Sequence, residues 1–136
     1  MIWSDLTKAF DGPLYDFGQT NGIAVFLENI DAPTTADTPW LSGFMLPAVV
    51  EQADLSVTEF RNGIYQIDIN YPQNNGSKPI NAMADLLNQT FKTGASFSFG
   101  EICAVVQSFE MGPLIVSNGW ATRSVSVNWH SYTMRL

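Results

Sequence analysis

Apolar and polar positions alternate most cleanly at Tyr65, Ile67, Ile69 and Tyr71, which are separated by Gln66, Asp68 and Asn70. A pleated strand puts the four large side chains on one face and the polar ones on the other. Asn62-Gly63, just before it, reads as a type I′ hairpin turn, because both residues tolerate positive φ. Pro72 ends the strand, and Gln73 to Lys78 is a polar loop in which Ser77 is a candidate N-cap ahead of Pro79. Ile80, Met83, Ala84, Leu87 and Phe91 then fall on one helical stripe, with Lys92 at the negative end of the dipole and Gly94 placed to terminate the helix.

Ile2, Leu6, Ala9 and Phe10 also recur at helical spacing, behind Ser4 and Asp5. Gly12 and Pro13 are expected to stop this helix early. Ile23 to Leu27 is continuously apolar, as a central strand covered on both faces would be. Asp31 to Pro39 has no periodicity and reads as a loop or arm. Trp40 to Leu46 reads as a strand, Pro47 marks an edge or a bend, and Leu55 to Phe60 resumes the extended pattern. Ala95 to Phe99 and Glu101 to Phe109 read as strands. Met111 to Gly119 reads as a punctuated connection with an apolar centre at Leu114, Ile115 and Val116. In the last strand Val125, Val127 and Trp129 point one way, while Thr122, Ser124, Ser126, Asn128 and His130 point the other.

These elements predict an α+β fold: a mixed, mostly antiparallel sheet with a short N-terminal helix and one central helix packed on one face. With 136 residues the chain is expected to form one domain, residues 1–136, around a single core.

Composition changes the picture at the surface. Only 14% of residues are charged and 46% are hydrophobic, against roughly 25% charged in an ordinary soluble protein. A low-charge, aromatic-rich surface suits a subunit that meets neighbours. The net charge of -7 argues against a sequence-independent grip on nucleic acid. The charge is also uneven: nine of the acids lie in the first 60 residues, with Lys8 as their only base. Cys103 is the single cysteine, and its apolar neighbours predict a buried, inert thiol. The chain shows neither a bilayer-length apolar run nor a signal-peptide pattern, so a cytosolic product with no membrane partner is expected.

Enzyme chemistry finds little support. His130 is the one histidine, which excludes a His-rich zinc site. A Cys103–His130 nucleophile and base would need a reactive thiol. Asn74-Asn75-Gly76-Ser77-Lys78 has one glycine and reads as a cap rather than a phosphate loop. Asp68 with Glu59 across the expected hairpin is the remaining acid and base pair, and surface roles outweigh it. Trp40 and Trp120 could line a sugar-binding face, with core or subunit contact the stronger reading. No catalytic, metal or cofactor-binding residue is expected.

Four pieces, taken in order, resemble the bacteriophage tail-terminator (tail-completion) family of lambda-like long-tailed phages, or siphoviruses. They are Phe26-Leu27-Glu28-Asn29; Pro39-Trp40-Leu41; Gly63-Ile64-Tyr65-Gln66-Ile67 leading through Tyr71-Pro72 to Ala84-Asp85-Leu86 and Phe91; and Gly119-Trp120 with Val125, Val127 and Trp129. The resemblance spans roughly Ile23 to Ser131. It implies a homohexameric ring on the head-proximal end of the tail tube, which stops tube growth and docks to head-completion proteins. The product would be a virion tail protein assembled in the host cytoplasm, with the tail-tube protein and a head-completion or connector protein as partners. The family's N-terminal helix is commonly longer than one ending at Asp11-Gly12-Pro13.

Residues expected at subunit or partner contacts are Trp40, Trp120, Thr122, Ser124 and Ser126, small hydroxyls and rings that bury without desolvating charge. Asp31 and Asp37 are expected in an acidic channel that DNA crosses as passing cargo. The competing readings are another head–tail connector or tail-tube subunit, and a small ligand-binding or hydrolytic domain. Particle mass separates an assembling subunit from the last of these.

Overall fold

The computed structural model describes residues 2–28, 38–52, 58–74, 76–100, 102–117 and 119–134, with side chains described for all of these except 2–3, 47–52, 58–60 and 132–134. Two helices, α1 (Ile2–Asn21) and α2 (Lys78–Thr90), accompany six strands: β1 (Ala24–Leu27), β2 (Trp40–Gln52), β3 (Thr58–Pro72), β4 (Ser96–Phe99), β5 (Ile102–Ser117) and β6 (Trp120–Met134). The strands form one sheet in the order β1-β2-β3-β6-β5-β4. Only β1 and β2 pair in parallel; the other four pairings are antiparallel. The α+β class expected from the sequence is therefore present, with both helices on one face.

The first helix corrects its expected length. It runs through Gly12-Pro13 to Asn21 with Pro13 inside. A mid-helix proline removes one backbone hydrogen bond and costs about 3 kcal/mol or more. Burial offsets that cost, because Leu14 and Phe17 continue the stripe of Leu6, Ala9 and Phe10 into the core. The helix stops instead at Gly22, whose φ of 66° is left-handed, with the Ile23 amide donating to the Gly18 carbonyl at 3.0 Å. That pattern is a Schellman C-cap. The expected departure from the tail-terminator pattern, an early-ending N-terminal helix, is thus absent.

Asn62-Gly63 is not a turn. Both residues lie inside β3, facing His130 and Trp129 of β6. Gly63 is needed for close packing: a Cβ there would come within 2.8 Å of Trp129 Cζ2 and 3.0 Å of the Leu46 carbonyl oxygen. The absent side chain, which looked like turn chemistry, makes room for an indole. Tyr65, Ile67 and Ile69 face the helices as the alternation requires, all fully buried. The α2 stripe Ile80, Met83, Ala84 and Leu87 is buried, with Phe91 just beyond the helix. Ser77 stands at the N-cap without a side-chain capping bond.

Three further expectations change. The Ile23–Leu27 segment forms β1, an edge strand rather than a central one. Val25 and Leu27 are half-buried against the core while the half-buried Phe26 packs on Trp40 on the other face, which explains the apolar run. Met111 to Ser117 continues β5 rather than forming a connection, with register shifts at Val106/Ser108 and Met111/Leu114. Each shift sets one extra residue against β6, and the second accommodates Gly112-Pro113 as a bulge. Cys103 is exposed rather than buried, because it alternates with Ile102 and Ala104, which take the core side. Pro47 meets its expected setting: it lies beyond the end of β1, at the register shift of β2.

Beneath the sheet, Tyr65 Oη donates a short hydrogen bond to Asp11 Oδ1. Burial raises the Asp11 carboxyl above the ordinary range; the Tyr65 bond opposes this and the Glu28 charge reinforces it. The Tyr65 hydroxyl is itself pushed up by burial and by Asp11.

Two stability measurements test this packing. Gly63→Ala is expected to cost about 1–3 kcal/mol of unfolding free energy through overpacking against Trp129; a denaturant midpoint equal to wild type would place the glycine in a relaxed site. Because Asp11 has a raised value in the folded state, its contribution is fully present below the unfolded carboxyl value of about 3.9 and is lost as pH rises through the folded one. Asp11→Asn keeps an acceptor for Tyr65 without the charge, so its stability relative to wild type should grow as pH rises across that window. A gap that shrinks with rising pH would contradict the account.

Candidate assembly surface

The helices cover one face of the sheet, and among the described residues nothing packs on the other beyond its own side chains. Alternation along β3 and β6 sends Gln66, Asp68 and Asn70 outward, opposite Ser126, Ser124 and Thr122. On the other side of β3 the same three residues face Phe44, Ser42 and Trp40 of β2. Two of the β3–β6 pairs are bonded directly, and Gln66 bonds along the face to Asp68. Ser124 Oγ donates to Asp68 Oδ1 at 2.7 Å, Gln66 Nε2 to the same oxygen at 2.9 Å, and Thr122 Oγ1 to Asn70 Oδ1 at 2.8 Å. Asn128 Nδ2 donates to Ser108 Oγ at 2.7 Å, extending the pattern to β5. This half-buried network satisfies most of its donors and acceptors internally, so a neighbour could cover it at little desolvation cost.

At the end of this face where β2 and β6 begin, the rings of Trp40 and Trp120 meet edge-on with centroids 6.0 Å apart. Phe26 meets Trp40 at 5.6 Å, also edge-on. Both tryptophans are strand residues rather than loop residues. Trp40 Nε1 is buried with no hydrogen-bond partner among the described residues. All five contact residues expected from sequence, Trp40, Trp120, Thr122, Ser124 and Ser126, thus share one face, which follows from strand parity. Asp31 and Asp37 lie outside the described residues.

The sheet's free edges were missed by the pattern reading. Strand β4 pairs with β5 only over Ile102–Val105, so β5 from Gln107 to Ser117 has no outer partner among the described strands. Leu114, Ile115 and Val116 are exposed along it. The signal available was the apolar centre of that segment, set aside because Gly112 and Pro113 suggested a loop.

Of the chemistry weighed against an assembly role, Asp68 and Glu59 lie nine residues apart on the same strand, not across a hairpin. Cys103 and His130 lie on the paired strands β5 and β6, with His130 opposite Val105, two residues along from Cys103, and no hydrogen bond joins the two side chains among those described. Among the described residues no group of three or more His, Cys, Asp or Glu could hold a metal ion, and no helix is long and apolar enough to cross a membrane. An open groove of about 380 Å³ lies between Asn21, Ile23, Pro39, Tyr71 and Met83 and is lined by no carboxylate among the described residues.

A family model described as "Phage tail terminator protein" matches residues 5–129. The chain belongs to the phage tail terminator family. It is accordingly a structural phage tail protein and a component of the virion tail. Comparison with curated proteins gives no match. Eleven chains of solved structures match the fold. One of them is similar at a TM-score of 0.72 and 19% identity, over 94% of this chain and 93% of that one. At that identity the likeness is one of fold, and it spans nearly all of the architecture described above.

The bonded character of the bare face is directly testable. Ser124→Ala leaves Asp68 without its hydroxyl donor and should cost about 0.5–1.5 kcal/mol in denaturant unfolding. No loss at all would mean that Asp68 is satisfied by solvent instead.

Proposed function

We propose that this protein is the subunit of a homohexameric ring on the head-proximal end of the tail tube, where it stops tube growth and docks head-completion proteins. The reading is supported by the family match over residues 5–129, and the architecture suits it. A six-stranded sheet that the described helices cover on one face offers a second face and two different edges for neighbours. A closed ring requires such unlike patches, because head-to-tail contacts join one surface to another on the next copy.

In this reading the bare face carrying Thr122, Ser124, Ser126, Trp40 and Trp120 is a contact surface for a neighbouring subunit or the tail-tube protein. Its one network carboxylate, Asp68, is already bonded, so little charge is desolvated on contact. The acidic first half of the chain, with Asp31 and Asp37, faces a channel that DNA crosses without adhering. The role is structural, with no catalytic step and no cofactor, and assembly takes place in the host cytoplasm.

Electron microscopy of the purified protein, alone and mixed with terminator-deficient tails, tests the proposal. Six-fold rings and tails of fixed length are expected. A protein that forms no ring and leaves tails uncapped would overturn it. In the same reconstitution, the double variant Asp31→Asn, Asp37→Asn should cap tails normally but slow DNA passage; unchanged passage would remove the channel role.

A further inference from the structure

Where β1 ends, a side chain carries on the pairing that the backbone leaves off. Leu27 is the last β1 residue paired with β2, opposite Gly43. Two residues further along β2, the Met45 amide donates to Glu28 Oε1 at 3.2 Å. A parallel ladder that continued would meet that donor with a backbone carbonyl of the neighbouring strand; the Glu28 carboxylate takes its place. Beyond it β2 has no outer strand among the described residues. The Met45 side chain faces the core, where its sulfur accepts from Trp129 Nε1 at 3.2 Å.

A second carboxylate converges on the same stretch of β2 from the helix side. Tyr65 reaches from β3 across to Gly43, where a Cβ would collide with its hydroxyl and with Leu14, and there it donates to Asp11 Oδ1. Asp11 is thus held at Gly43 and Glu28 at Met45, positions about 7 Å apart along one strand. Asp11 is half-buried and Glu28 exposed. Among the described residues, the titratable groups facing Asp11 are Tyr65 from β3 and Glu28 from the end of β1. Strand β2 brings only Gly43 and Met45, and the rings stacked on Tyr65, Phe10 and Phe91, carry no charge. On α1 itself Lys8 is turned to β4, its Nζ 5.2 Å from the Phe99 ring centroid, and Tyr15 is exposed. Arg61 lies four residues from Tyr65 along β3, about 13 Å at strand rise. The two carboxylates therefore face each other with no described cation between them, and the coupling between them is mutual.

We propose that Asp11 and Glu28 form a proton-operated latch on the open edge of β2. With Asp11 neutral, Glu28 is the one described charge at this junction and holds the Met45 amide. Once Asp11 ionises, like charges meet across Gly43 and Met45, and Glu28 moves off toward solvent, which its exposed position permits. Release uncovers the Met45 N–H, the first donor of the β2 edge beyond β1. The strand itself stays in place, because its other side is paired with β3 from Trp40 to Pro47. The latch belongs to the subunit's own fold and stands whether or not the ring forms.

Amide hydrogen exchange followed by NMR on the full chain tests it, with thermal unfolding as the check on folding. At pH about 7, Asp11→Asn, which keeps an acceptor for Tyr65 without the charge, should protect the Met45 amide about threefold more than wild type, the effect of roughly half a pKa unit of coupling. The difference should vanish as pH falls toward the ordinary carboxyl value of about 3.9, where wild-type Asp11 carries its proton. In a Glu28→Gln background, Asp11→Asn should leave Met45 protection unchanged. Equal protection of Met45 in wild type and Asp11→Asn at neutral pH overturns the latch. A gain that persists in the Glu28→Gln background overturns the route through Glu28. An equal gain at the Ile67 amide, paired on both sides within the sheet, marks a change in global stability and overturns the latch as well. Should Asp11→Asn not fold, the wild-type chain decides: the Met45 amide shift must titrate together with the Asp11 carboxyl carbon shift, and a Met45 shift that ignores Asp11 overturns the proposal.

Discussion

The ring of Phe10 lies 5.2 Å from Tyr65, 5.6 Å from Phe97, 5.9 Å from Trp129 and 6.5 Å from Phe91. Those partners come from β3, β4, β6 and the segment after α2. One side chain of the first helix therefore touches three of the six strands and the end of the second helix. Offset and tilted ring pairs at these distances add roughly 0.5–1.5 kcal/mol each beyond area burial. The cluster fixes where α1 lies, and that placement explains both exceptions in its neighbourhood. Pro13 is tolerated because Leu14 and Phe17 must follow Phe10 into the core. Gly63 is required because Trp129 needs the space above β3.

Anchoring both helices through one aromatic cluster commits the protein to a one-sided sheet. The consequence is a bare face where polar residues bond to each other rather than to solvent, with Ser124, Gln66 and Asp68 as its centre. It also leaves two edges of unlike character, because β1 and β4 are short and cover opposite ends. In the proposed ring each subunit is joined on several sides at once. A fold whose helices pack on one face, and whose other face and parts of both edges stay uncovered among the described residues, suits that duty.

Period-two alternation made β3 and β6 legible, and with them the outward placement of Thr122, Ser124 and Ser126. The helical stripe from Ile80 to Phe91 was equally plain, because each of its positions faces one core. Local punctuation misled in three places. Asn62-Gly63, Gly12-Pro13 and Gly112-Pro113 each have the chemistry of a turn or a stop, yet lie inside a strand, a helix and a bulged strand. Cys103 was judged by its apolar neighbours, although in a strand those neighbours point the other way.

The sequence by itself determined which residues share a face, since that depends only on the 2.0 and 3.6 periods of the backbone, and it carried the family resemblance in the order of its pieces. Only the tertiary structure decided where elements end. Whether a glycine bends the chain or admits an indole, and whether a proline stops a helix or is carried by it, depends on partners far away in sequence. The same holds for the β5 edge: no local pattern shows that β4 pairs only with Ile102–Val105 and leaves Leu114, Ile115 and Val116 without an outer strand among the described residues.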